Sequence, residues 1–122
     1  MAKIGKNRVG LSTASCSVSF VKSFLGWSVH RNQPDFFSPA FLASNASQFC
    51  TRDKGKEAED ITRWYGAKDM RCTLVFDDQP KTNRDSIESR GMIYQGIQTD
   101  STVHVADYDA GVQRLRERGC PC

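Results

Sequence analysis

Two adjacent carboxylates, Asp77 and Asp78, end the run "MRCTLVFDD" (residues 70–78) and are the first candidates for chemistry. Carboxylates at the end of a strand can ligate a divalent cation such as Mg²⁺ or do acid/base work. Glu88 and His104 could add ligands, so the candidate metal set is Asp77, Asp78, Glu88 and His104. The N-terminal strand offers no second acidic cluster, however, and a solvated turn before "QPKTN" is the favoured interpretation.

The chain has two histidines, His30 and His104. In "STVHVA" (residues 101–106), His104 alternates with Val103 and Val105, so in a strand it faces the opposite side from both valines. It then faces a cavity or is a hydrogen-bonded strand residue. Trp27 could line an apolar pocket, so Trp27 and His104 are the candidate ligand-binding residues.

Five cysteines at irregular spacing do not resemble a secreted disulfide framework. Zinc sites use a wider pair than "CPC" (residues 120–122), together with a second pair elsewhere. The sequence therefore predicts free thiols in a reducing, cytoplasmic compartment.

Several elements must position these side chains. The β-branched and apolar runs predict strands at "RVGLSTAS", "WSVHR", "MRCTLVF", "GMIYQGI" and "STVHVA". Apolar residues at helical spacing predict helices over about 18–25, from about Glu57 to Tyr65, and over 107–119, with glycines at their ends. "DDQPKTNRDS" (residues 77–86) is predicted to be a polar turn or loop, so the strands on either side could form a hairpin. The fold class is α+β, a small β-sheet packed by two or three short helices.

Two pieces of the chain carry a resemblance. In "RVGLSTASCSVSFVKSFLGWSV" (residues 8–29) the matching residues are Val9, Gly10, Leu11, Phe20, Leu25, Gly26 and Trp27. In "STVHVADYDAGVQRLRERGCP" (residues 101–121) they are Asp107, Asp109 and Ala110. Both pieces resemble module openings of the vicinal oxygen chelate superfamily, which includes glyoxalases, bleomycin-resistance proteins and extradiol dioxygenases.

The resemblance implies a fold of paired βαβββ modules, here incomplete because the chain ends at the second module's helix. Members that are metalloenzymes carry two or three metal ligands, one of them on the first strand. This chain has Lys6, Asn7 and Arg8 there, and an arginine cannot ligate a cation. The resemblance therefore implies a binding module rather than a working metalloenzyme.

Length and composition fit one folded domain over residues 1–122, with 39% hydrophobic and 25% charged residues. No apolar run reaches the length of a membrane span. The net charge of +3 is too mild for the basic stripe expected of a nucleic-acid binder. If strands are missing, exposed sheet edges would favour self-association or a protein partner.

Three functional hypotheses remain. The preferred one is a module that binds a small molecule or a partner chain, more consistent with a non-enzyme and requiring no cofactor. The second is a structural or accessory protein, such as a virion component or an inhibitor of a host complex. The third is a divalent-metal-dependent lyase or dioxygenase-type enzyme, which would use the carboxylates and His104.

Overall fold

A computed structural model describes residues 8–19, 39–97 and 102–121. The chain divides into two compact units, residues 1–52 and residues 53–122, called here the N-terminal and C-terminal units. The single domain expected from length stays a prediction.

The N-terminal unit contains a two-stranded parallel sheet. Strand β1 (Leu11–Ser12) pairs with β2 (Ser47–Gln48), and helix α1 (Pro39–Ala43) precedes β2. The Leu11 amide donates to the Ala46 carbonyl at 2.8 Å, and the Thr13 amide donates to the Gln48 carbonyl at 3.0 Å. A disulfide between Cys16 and Cys50 joins the segments that follow the two strands.

The C-terminal unit alternates helices and strands. Its elements are α2 (Lys54–Trp64), β3 (Leu74–Asp77), α3 (Pro80–Glu88), β4 (Ile93–Gly96) and α4 (Val105–Glu117). Strands β3 and β4 are parallel, with Leu74 opposite Ile93 and Asp77 opposite Gly96. They can be parallel because α3 carries the chain back to the end of the sheet at which β3 begins, and a tight turn could not span that distance.

The two faces of this sheet carry different helices. Ala58 of α2 and Ile87 of α3 pack with Tyr94 and Val75 of the strands, in a core completed by Met70 and Met92. Because side chains alternate along a strand, Leu74 and Phe76 project to the opposite face. There a Cβ built on Gly111 of α4 would lie 2.9 Å from Leu74 and 3.3 Å from Phe76. The sheet is thus covered by α2 and α3 on one side and by α4 on the other.

These elements confirm the predicted α+β class with a small sheet packed by short helices. The expected helix from Glu57 to Tyr65 is α2, and the expected C-terminal helix is α4. Gly66 and Gly119 follow the two helices with φ of 88° and 75°, values that a glycine adopts without Cβ strain. The predicted strand "MRCTLVF" covers β3 except Asp77, and "GMIYQGI" contains β4.

Three local predictions are wrong. Most of the polar segment "DDQPKTNRDS" belongs to α3 and only residues 78–79 form a turn, because Pro80 starts a helix whose Ile87 reaches the core. The hairpin is therefore replaced by a parallel pair. "STVHVA" is not a strand where the structure describes it, since Val105 already begins α4.

Other expectations fall on residues outside the described ranges. These are the helix over about 18–25 beyond its first two residues, the strand "WSVHR" and the side chain of Trp27. The paired βαβββ arrangement implied by the resemblance likewise stays a prediction.

Four cysteines form disulfides and are not the free thiols expected from the sequence. Cys16 is bonded to Cys50, and Cys72 is bonded to Cys120 across a sequence separation of 48 residues. The spacing gives no hint of this pairing, because tertiary contacts bring each pair together. Across the described ranges, none of the helices combines the length and the apolar character needed to cross a membrane.

Candidate functional site

The carboxyl end of β3 holds a fixed carboxylate. Asp77 is 7% exposed, and its Oδ2 accepts hydrogen bonds from the Gln79 amide at 2.9 Å and from Asn83 Nδ2 at 3.0 Å. The Tyr94 hydroxyl donates to the Asp77 backbone carbonyl at 3.1 Å. Asp77 therefore closes the turn from β3 into α3 and has a defined orientation.

Lys54, the first residue of α2, brings a cation to this end of the sheet. Its side chain is half-buried. Burial lowers the pKa of the Lys54 ammonium, while Asp77 and Asp78 act in the opposite direction with a smaller effect. The ammonium thus lies within electrostatic reach of both carboxylates in a partly dehydrated place, where charges interact more strongly than in water.

Asp78 is half-buried directly after the strand. Together with Asp77 it also acts on the Tyr94 hydroxyl, whose pKa is raised first by burial and then by these two negative charges. Lys54, Asp77, Asp78 and Tyr94 therefore form one electrostatic neighbourhood, called here the β3-end site.

Close packing of two helices positions Lys54. Asp53 caps α2 by accepting from the Lys56 amide at 3.1 Å, and it also accepts from the Ser86 hydroxyl of α3. Gly55 sits so near α3 that an added Cβ would lie 2.3 Å from the Ser86 carbonyl oxygen. Only a residue without a side chain fits there, so Gly55 sets the approach of α2.

Arg90 secures the same pair of helices. Its Nε lies 3.1 Å from a Glu59 carboxylate oxygen of α2, and its Nη1 donates to the Ser86 carbonyl at 2.8 Å. A third contact, 3.7 Å from Nη2 to Asp53, completes the link. The start of α2, and Lys54 with it, is therefore held by polar contacts as well as by packing.

The structure brings only part of the predicted metal set together. Asp77 and Asp78 are neighbours, but Glu88 ends α3, about 12 Å along the helix from Pro80 at the rise of an α-helix, and it pairs with Arg84 at 3.0 Å. His104 is exposed at the start of α4, where its backbone amide donates to Asp107 at 3.0 Å. In the parts of the chain that are described, no three His, Cys, Asp or Glu side chains are grouped to hold a metal ion.

Sequence reasoning missed Lys54 and Tyr94 of the β3-end site, and it also missed Asn83, which donates to Asp77. Lys54 lies in the charged run "TRDKGKEAED", where one lysine has no distinguishing pattern. A signal existed in Asp53, a favourable N-cap residue, which places Lys54 at the first helical position. For Asn83 the signal was Pro80, a common first residue of a helix.

The charges of the β3-end site are of the kind that can bind a small anion together with a hydrated cation. Mg²⁺ is commonly bound by one or two carboxylates together with phosphate oxygens of the ligand and several waters, without a full cage of protein ligands. A lysine beside such carboxylates can hold the phosphate as a point charge. The crevice at the carboxyl ends of parallel strands is also where open α/β sheets bind ligands.

Searches against protein-family models, curated proteins and solved structures found no match to this chain.

Proposed function

We propose that the chain is a small-molecule-binding module whose β3-end site takes a phosphorylated small molecule together with Mg²⁺. The observation that carries the proposal is the half-buried Lys54 ammonium within electrostatic reach of the two strand-end carboxylates. Asp77 and Asp78 would hold the cation through their oxygens, and Lys54 would neutralise the phosphate.

The electrostatics of the site support this assignment. Burial is the largest influence on the pKa of Lys54 and opposes its positive charge. Charged groups with perturbed pKa values are more common at functional sites than elsewhere. A bound phosphate would add negative charge near the ammonium and so favour the charged form that burial opposes.

The remaining expectations stand beside this proposal. Membership of the vicinal oxygen chelate superfamily, self-association and a protein partner stay predictions, and the β3-end site depends on none of them. The two disulfides favour a compartment in which disulfides persist over the reducing cytoplasm expected from the cysteine count.

The test is an NMR titration of the ¹⁵N-labelled chain with MgCl₂, alone and in the presence of phosphoserine as a phosphorylated probe. We expect saturable shifts of the Asp78 and Gln79 amides, with Mg²⁺ bound more tightly when phosphoserine is present. In Asp78→Asn, where one ligand charge is gone, binding should weaken about tenfold or more.

Asp85→Asn is the matched control, since Asp85 is an exposed carboxylate on α3 with the same charge. It should bind Mg²⁺ as the wild type does. Equal weakening in both variants would mean diffuse attraction of cations to the surface, and the proposed site would then be wrong.

A further inference from the structure

A second charged feature lies at the N-terminal ends of strands β3 and β4, opposite the end that carries the β3-end site. Arg71 lies just before β3, Gly91 just before β4, and Arg118 just after α4. Arg118 Nη1 donates to the Arg71 carbonyl at 2.9 Å and to the Gly91 carbonyl at 2.7 Å. Arg71 Nη2 donates in return to the Arg118 carbonyl. Each guanidinium group is therefore held against the backbone of the segment that carries the other arginine.

The charges of Arg71 and Arg118 are not balanced by carboxylates, in contrast to those of three other arginines. Arg63, Arg84 and Arg90 each form an ion pair with a carboxylate. Within the described ranges, Arg71 and Arg118 bond through their side chains to backbone carbonyls, which carry no formal charge. The Asp69 carboxylate accepts from the Arg71 backbone amide at 3.1 Å, a bond that does not involve the guanidinium group.

Both guanidinium groups keep donors for a ligand. A guanidinium has five N–H donors. Arg118 uses Nη1 and Arg71 uses Nη2 in these bonds, which leaves Nε and the second terminal nitrogen of each side chain. Pairs of such N–H groups match the geometry of phosphate and sulfate oxygens.

A covalent link fixes the segments that carry the pair. Cys72 follows Arg71 directly, Cys120 lies two residues after Arg118, and the two cysteines form a disulfide. Cys120 is buried, and its amide donates to the Leu115 carbonyl at 3.0 Å. A site held in this way loses little conformational entropy when a ligand binds.

We propose that Arg71 and Arg118 form a binding site for a small free oxyanion of the phosphate or sulfate class. This site lies at the other end of the strands from the β3-end site, and the two sites share no residue. The anion supplies the negative charge that this place lacks, and Cys72–Cys120 keeps the two arginines together.

The competing interpretation is purely structural. Arg118 follows α4, so its charge could simply complement the negative end of the helix dipole. That role needs one cation at this point and no ligand. It predicts that phosphate changes nothing at Arg71, which makes the two interpretations separable.

The experiment is a titration of the ¹⁵N-labelled chain with sodium phosphate in EDTA, at constant ionic strength maintained with sodium chloride. We expect saturable shifts of the Arg71, Gly91 and Gly119 amides. The Asp78 amide should stay in place, because no divalent cation is present. Phosphate affinity should fall about tenfold or more in Arg71→Gln, since a charged hydrogen-bonding partner is lost.

Arg116→Gln is the matched control, an exposed arginine two residues before Arg118 that loses the same charge. It should change the affinity less than about twofold, in the range of exposed charges. Arg71→Lys serves if Arg71→Gln does not fold, and it should bind phosphate more weakly than the wild type because the planar fork is lost. In EDTA, Lys54→Met should leave the phosphate-dependent shift of the Arg71 amide unchanged, since Lys54 belongs to the other site.

The proposal is wrong if the Arg71 amide shows no saturable shift, or if Arg116→Gln weakens binding as much as Arg71→Gln does. Loss of phosphate binding in Lys54→Met would also overturn it, because the anion would then occupy the β3-end site. If Mg²⁺ does not bind at Asp78, the proposed function is wrong, but the oxyanion site at Arg71 and Arg118 is unaffected.

Discussion

At the scale of single residues, Lys54 is the side chain whose placement most needs a functional explanation. The ammonium is half-buried, and its pKa is lowered because burial outweighs the attraction of Asp77 and Asp78. Lysines are found mostly on the surface, because burial of a charge costs free energy. The cost of its position is consistent with the trade-off between stability and function common at binding sites.

Replacing this lysine should therefore separate stability from binding. We expect Lys54→Met to raise the free energy of unfolding by about 1 kcal/mol at neutral pH, a usual gain for a stabilising substitution, and to abolish the tighter Mg²⁺ binding with phosphoserine. A lowered pKa means that the unfolded chain holds the proton over a pH range where the folded chain has lost it. Wild-type stability should thus rise toward the variant's as pH approaches the ordinary lysine value of 10.5.

Urea unfolding of both proteins between pH 7 and 10.5 measures this difference. A variant that is less stable than the wild type at pH 7 would show that Lys54 stabilises the fold through its ion pairs, which would contradict the interpretation.

At the scale of elements, the sequence predicts β3, β4, α2 and α4, but it misses α3. Strand β3 is apolar until Asp77, and α4 has acidic residues at its start and arginines at its end. Helix α3 is mostly polar, and Asn83 and Ile87 are its only buried residues. Its Pro, Asn, Asp and Ser residues therefore match the composition of a turn, and only packing against α2 and the sheet makes the segment a helix.

The β3-end site could be predicted from the sequence only in part, because packing between distant segments also determines which side chains it contains. Asp77 and Asp78 could be found because a strand ends at them. Lys54 and the Arg71–Arg118 pair could not, because each depends on contacts between segments distant along the chain. The direction of β4 relative to β3 follows from α3, so missing this helix also turned a parallel pair into a predicted hairpin.

Gly55 and Gly111 test how these helices pack. We expect Gly55→Ala to lower the free energy of unfolding by about 3 kcal/mol, the upper part of the range for overpacking, because its Cβ would meet the Ser86 backbone at 2.3 Å. Gly111→Ala meets the movable ends of the Leu74 side chain at 2.9 Å. There the gain in helix propensity, about 1 kcal/mol, should offset much of the clash.

Urea unfolding of both variants provides the comparison. Equal losses would mean that α2 does not approach α3 as closely as described.

At the scale of the whole molecule, the chain is two compact units, each with a two-stranded parallel sheet and a disulfide. Two strands bury little apolar surface, and α4 has Gly111 as its one buried residue. Covalent closure therefore matters more here than in a domain with a larger core.

Removing Cys72–Cys120 should destabilise the C-terminal unit substantially. For a loop of 48 residues, the chain-entropy relation gives about 4 kcal/mol. We expect the double variant Cys72→Ser/Cys120→Ser to lose up to this amount in urea unfolding, and Cys122→Ser, the matched control, to lose none. The denatured, unreduced wild type should show one reactive thiol per chain, from Cys122.

Five reactive thiols in the protein purified without reductant would contradict both disulfides. An unchanged unfolding free energy in the double variant would contradict the contribution assigned to Cys72–Cys120.

The Cys72–Cys120 bond also divides the β3-end site between two parts of the backbone. The bond closes residues 72–120 into a covalent ring that contains β3, α3, β4 and α4, whereas α2 precedes the ring. A backbone break inside the ring leaves its pieces joined, but a break between Tyr65 and Arg71 leaves α2 with no covalent connection to the strands. Asp77 and Asp78 belong to the ring and Lys54 does not. After such a break, Lys54 stays near the two carboxylates only through the contacts of Gly55, Ser86 and Arg90 between α2 and α3. If α2 then dissociated, the ring would retain Asp77 and Asp78 without Lys54.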